Sequence, residues 1–171
     1  MNFSRRHHIA SVVIMVADVG LLAWGAVAAI APERLPGPRL VPILAAGYES
    51  FTRQPWLELS PRAGEFITML FRMFGAYIVA FCIMAIGVAA WPFRRGEGWA
   101  WWALLAGNTI AFLVPMTYDW IVDAIGPFEM TEYLGIAVIY AALAFTAPFT
   151  AAGPEEATTD YSRRKPADRL V

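Results

Sequence analysis

Three polar side chains stand alone inside long apolar stretches, and any chemistry in the apolar part of this chain would centre on them. Asp18 is the one charge between Ile9 and Ala31, and Arg72 the one charge between Phe66 and Trp91. Asn108 lies in the uncharged run from Gly98 to Tyr118. In hydrocarbon each is costly to hold, so each marks a partner or a function. Counted along helices at about 1.5 Å per residue, Asp18 lies roughly 14 Å and Asn108 roughly 15 Å in from one side of a membrane. On the same count Arg72 lies roughly 9 Å in from the other side, leaving about 7 Å between it and Asp18. An Arg side chain spans most of that, so the three are expected to form one network. The network is either structural, fixing which helix faces which, or a proton-linked or headgroup-binding site.

A second polar set is acidic. Asp119 and Asp123 are four apart, which puts them on one face if the helix continues. With Glu129 and Glu132, and beside Tyr118 and Tyr133, they are expected to make an acidic rim. A divalent cation wants several oxygens, but no histidine stands near, and no metal is expected.

Other chemistry lacks its parts. A membrane haem needs histidine on the helices, and His7 and His8 both precede the first apolar run. The one cysteine, Cys82, allows no intrachain disulfide or dithiol couple. There is no glycine loop for nucleotide phosphates and no Ser-His-Asp set. No cofactor is expected, and the charge balance gives no reason for nucleic acid to bind.

The elements that must position these residues follow from composition. Hydrophobic residues make up 58% of the 171 and charged residues 16%, against about 45–50% and 25% in soluble domains. So much apolar surface cannot be buried inside so small a globule. Spanning a hydrocarbon core of about 30 Å takes roughly 20 apolar residues in a helix, and four stretches qualify. The expected fold is all-α: a four-transmembrane-helix bundle with helices at about 9–31, 66–91, 98–118 and 130–149, forming one membrane domain over 1–150. The first stretch is expected to be retained rather than cleaved. Its apolar part is 23 residues long, against about 7–15 in a signal peptide. Residues 151–171 are polar and are expected to form a disordered cytoplasmic tail.

Lys and Arg placement gives the expected orientation. With the N-terminus inside, segments 1–8, 92–97 and 150–171 are inner and hold eight basic residues in 36 positions. The outer segments 32–65 and 119–129 hold four in 45. Both termini are therefore expected to be cytoplasmic. Tryptophans 91, 99, 101 and 102 surround the inner turn at 92–97, as an aromatic belt would. The outer loop 32–65 holds six prolines together with Leu40, Val41, Ile43, Leu44, Phe51 and Trp56. It is expected to be a structured cap with a short helix around Ile43–Phe51 at the interface. Of the 13 basic residues 12 are Arg, whose codons are GC-rich, which suggests a high-GC bacterial source.

Helices in lipid associate through small residues. Here Gly25 and Ala29, Ala76 and Ala80, and Ala137 and Ala141 are each four apart, and Ala103, Gly107 and Ala111 continue the spacing. These are the expected helix-packing positions, within the bundle or against other membrane subunits.

The runs Phe71-Arg72-Met73-Phe74-Gly75-Ala76-Tyr77 and Arg94-Arg95-Gly96-Glu97-Gly98-Trp99-Ala100-Trp101-Trp102, with Tyr118-Asp119, resemble small bacterial four-helix membrane proteins that stand near DoxX-like proteins. The likeness covers roughly residues 40–148 and implies no particular reaction. In size, helix count and Arg-rich composition the chain is also similar to small accessory subunits of actinobacterial Mce lipid transport systems. These resemblances imply a non-catalytic accessory subunit of an inner-membrane complex, its partners other membrane subunits and membrane lipids. The alternative is a membrane enzyme or carrier acting on a lipid or quinone through Arg72.

Overall fold

The computed structural model describes residues 3–35, 42–122 and 127–147. Regular structure among them is helical. Helix α1 is Phe3–Ile30, α2 is Ile43–Thr52, α3 is Pro61–Val88, α4 is Gly98–Val122 and α5 is Pro127–Phe145. Single turns at Pro32–Arg34 and Trp56–Glu58 flank α2. The tail at 151–171 and Asp123 lie outside the described residues.

Three helices are long and apolar enough to cross a membrane: α1, α3 with its extension to Phe93, and α4. Their outer surfaces are apolar as well as their inner ones, as lipid-facing helices require. Val16, Tyr77, Met84 and Ile110 are all largely exposed. At the fourth expected span stands a shorter apolar helix, α5, which is not among those three. Its 19 residues amount to about 28 Å, although the apolar part at Met130–Phe145 is shorter than the other three.

The helix ends differ from the apolar runs in informative ways. Helix α3 begins at Pro61, five residues before the run at Phe66, because Ser60 caps it. The Ser60 side chain accepts from the Ala63 amide at 3.3 Å, and Pro61 needs no amide partner in the first turn. At its other end α3 widens into a π-helical turn at Ala89–Phe93 that accommodates Pro92. The Ser11 hydroxyl of α1 donates to the Ala89 carbonyl at 2.7 Å inside this turn. Gly96 then reverses the chain with a φ of 79°, a conformation that favours glycine.

α1 packs most extensively along α3 and then along α5, while α4 bridges α5 and α3. The core along the axis is Ile14, Phe93, Leu104, Phe112, Ile139 and Leu143, with alanines at 10, 85, 89 and 100 between them. The four long helices run up and down in turn, so α1 and α3 are antiparallel. The turn at 94–97 and the N-terminal end of α1 share one end of the bundle, and α2 closes the other as the expected cap.

Candidate functional site

Asp18 and Asn108 are both fully buried in the bundle. Asp18 lies one turn from the core residue Ile14 on α1, and Asn108 stands between Leu104 and Phe112 on α4. The Asn108 amide donates to its own helix, to the Leu104 carbonyl at 2.9 Å. Neither Asp18 oxygen has a hydrogen-bond partner among the described residues, nor does Asn108 Oδ1. Arg6 lies over the Phe145 ring, and the Trp101 indole donates to the Leu143 carbonyl. These contacts set Asn108 within about one helical turn of the level of Asp18, roughly 5 Å. Among the described residues, Cys82 on α3, itself buried, is an ionisable neighbour of Asp18.

Arg72 does not join them. Its guanidinium lies 3.9 Å from a Glu33 carboxylate oxygen, with the side chains 50% and 58% exposed. The expected Asp18–Arg72 link is therefore corrected, and the reason is register. Gly75 abuts Gly25, Ala28 and Ala29 of α1, so Arg72, three residues earlier on an antiparallel helix, lies level with residues 28–32. That is ten to fourteen residues from Asp18, or roughly 15–20 Å. The separation of about 7 Å expected from the apolar runs fails because neither helix starts where its run does: α1 starts at Phe3 and α3 at Pro61. Arg72 lies near the cap end and extends its charge towards it, as long basic side chains do.

Of the expected acidic rim, Asp119 and Glu132 are described. Asp119 belongs to α4, which continues past Tyr118. Glu132 sits in the second turn of α5, because that helix starts at Pro127, not Met130. Both are half-buried and turned inward. The side chain of Glu129 is outside the described set, as is Asp123.

Asp119 and Glu132 line a cavity of about 480 Å³ beneath the cap. Helix α2 contributes Ile43, Leu44 and Phe51 to it, and α3 contributes Ile67, Leu70 and Phe71. Trp24, Phe71 and Phe74 form one wall as a triangle of rings with centroids 6.0–6.2 Å apart. The cap is fixed by the Trp56 amide donating to Glu49 Oε1 at 2.8 Å and by Tyr48 packed edge-on to Trp56 at 5.6 Å. This cavity was not legible from the sequence, because its lining comes from five helices. Arg72 is not among its lining residues.

The small residues divide into two sets. Gly25 and Ala29 lie against Gly75, and Gly107 against Phe81 of α3. Ala111 packs on the core. Ala76, Ala80, Ala103, Ala137 and Ala141, by contrast, face outward and are exposed. Gly75 is the packing residue that spacing missed, since no small residue stands four positions from it. His7 is structural: its ring lies 4.2 Å from Phe3 and 5.6 Å from Phe93 by centroids, and Nδ1 lies 3.1 Å from the Phe3 carbonyl.

Among the described residues no group of three or more His, Cys, Asp or Glu comes together as a metal site would require. What the arrangement offers is a buried polar level at mid-bundle and an apolar cavity with acids in its lining. The chain matches no protein-family profile, no curated protein and no solved structure.

Proposed function

We propose that this protein is a non-catalytic accessory subunit of a larger bacterial inner-membrane complex, one that moves lipids. In this reading all four long helices cross the membrane, both termini are cytoplasmic, and the cap lies on the outer side. The observation that carries it is the outward stripe of small residues on two helices. Ala76 and Ala80 on α3, and Ala137 and Ala141 on α5, are exposed among the described residues. Small residues lower the surface so that another helix can approach closely, and that approach is what associates helices in lipid. A lipid tail gains nothing comparable from such a groove.

The reading through Arg72 as an enzyme or carrier residue has less to support it. Arg72 is half-exposed beside Glu33 and is not among the residues lining the cavity beneath the cap. Purification of the tagged chain from its own membrane in mild detergent tests the subunit reading. Another membrane protein is expected in stoichiometric amount. Elution as a lone monomer or homodimer would sink the proposal.

A further inference from the structure

We propose that the end of the bundle where the first turn of α1 meets the turn at 94–97 binds the phosphate head of an anionic phospholipid through Arg5, Arg6, Arg94 and Arg95. The proposal rests on the apolar spanning helices and not on the subunit reading. Contacts bring the two arginine pairs to one place although they lie far apart in sequence. The Phe3 ring stands 2.6 Å from where a Cβ on Gly96 would lie, and His7 Nε2 stands 3.8 Å from it. The His7 and Phe93 rings lie 5.6 Å apart by centroids. Arg5 and Arg6 follow Phe3 within one helical turn, roughly 5 Å along the axis, and Arg94 and Arg95 directly precede Gly96.

These charges are available. Among the described residues none of the four arginines is in an ion pair. The carboxylate described at this end is Glu97, and its Oε2 already accepts from the Trp99 indole at 2.8 Å. Two of the guanidinium groups are also held in place. Arg95 lies 4.1 Å over the Trp91 ring and Arg6 5.5 Å over the Phe145 ring. Stacking on a ring face leaves the N–H groups at the guanidinium edge to donate. Arg6 Nε is buried with no acceptor among the described residues. A phosphate oxygen supplies acceptors of the kind that guanidinium groups bind best.

The surroundings point to a lipid rather than a soluble anion. The three helices long and apolar enough to cross a membrane all have an end here: α1 begins, α3 with its extension finishes at Phe93, and α4 begins. Trp91 and Trp99 are 64% and 57% exposed beside the arginines, as indole rings are at headgroup level. Ile9 and Phe145 keep apolar surface exposed next to them. A ligand that meets both kinds of surface carries an anionic head on apolar chains. A free phosphate or an acidic peptide would use the arginines alone. A zwitterionic lipid would bring its own cation against four others.

The test uses the full chain in mild detergent, with dioleoyl phosphatidylglycerol and dioleoyl phosphatidylcholine as probes. Native mass spectrometry measures how much of each lipid is retained. Phosphatidylglycerol is expected to bind tighter by roughly tenfold or more. Arg5→Gln with Arg6→Gln, and separately Arg94→Gln with Arg95→Gln, should weaken it by about fivefold per arginine removed. Phosphatidylcholine should be unaffected. The pairs sit on different elements, so misfolding of one variant leaves the other to decide. Arg62→Gln, an exposed charge at the cap end, should change neither lipid. Soluble glycerol 3-phosphate should not displace the lipid, because it lacks the chains. Equal retention of the two lipids, a preference that survives both double substitutions, or displacement by glycerol 3-phosphate overturns the proposal.

Discussion

Gly25 on α1 and Gly75 on α3 face each other so closely that neither site admits a side chain. A Cβ on Gly75 would lie 2.5 Å from the Ala29 amide nitrogen and 2.7 Å from the Ala28 carbonyl carbon; one on Gly25 would lie 2.6 Å from Ile78 Cγ2. Backbone cannot swing aside as a side-chain tip can. Gly75→Ala is therefore expected to push the two helices apart and cost about 1–3 kcal/mol, the usual range for overpacking. Gly20→Ala, with nothing within 4 Å of its Cβ, is the matched control and should be neutral or slightly stabilising. Unfolding by denaturing detergent, followed by circular dichroism, measures both. Equal behaviour of the two variants would contradict the close approach.

That approach also sets the relation between the two charges. Asp18 is buried without a hydrogen-bond partner among the described residues, and Arg72 sits roughly 15–20 Å away along the helices. Asp18→Leu is expected to raise stability by about 1 kcal/mol, because it removes an uncompensated buried polar group. Arg72→Leu should change it by less than about 0.5 kcal/mol. The double variant should equal the sum of the singles within about 0.5 kcal/mol, as independent sites do. A coupling energy above about 1 kcal/mol would return the two residues to one network.

Asp18 and Arg72 also show where reading a sequence stops. The existence and order of the long helices follow from apolar run length, and the cap helix follows from apolar residues among prolines. The observed Ile43–Thr52 lies within one residue of the expected Ile43–Phe51. Burial of Asp18 and Asn108 could be expected from their isolation in uncharged surroundings. Depth relative to a neighbouring helix could not, since it depends on where the Ser60 cap starts α3 and on which residues touch. Gly75 fixes that register, and a single glycine among Phe74 and Ala76 carries no signal of what faces it. The cavity is further out of reach, because α1, α2, α3, α4 and α5 each supply only a few of its residues.

The Ser11 hydroxyl ties α1 to the π-helical turn through the Ala89 carbonyl at 2.7 Å, and both residues are fully buried. Ser11→Ala would remove this link between the two helices in an apolar setting. A loss of about 1–3 kcal/mol is expected, together with faster hydrogen exchange in residues 89–97. Unchanged exchange there would mean that Pro92 alone shapes the turn.

Orientation can be read by labelling, since Cys82 is fully buried and gives a silent background. Gln54→Cys on the cap and Arg95→Cys in the basic turn are both surface positions. With both termini inside, a membrane-impermeant maleimide should label Gln54→Cys in intact cells and Arg95→Cys only after permeabilisation. The reverse pattern would invert the topology and contradict the distribution of basic residues.

The subunit reading makes a prediction that separates an outer face from an inner one. Ala80 and Ala141 are exposed, so a large apolar side chain at either should leave the bundle itself unharmed. Ala80→Phe and Ala141→Phe are expected to keep the unfolding transition within about 0.5 kcal/mol of the parent, as for surface substitutions in general. If a partner helix lies in either groove, the added ring holds it off by several ångströms. The dispersion contacts that associate helices in lipid fall away over such a distance. Each variant should then lose its co-purifying membrane partner while remaining folded, and Ala103→Phe on α4, which also faces outward, tells which helices the partner touches. Retention of the partner by all three variants would move the interface to another face of the chain. Unfolding of any of them would show that the position is packed against its own bundle after all.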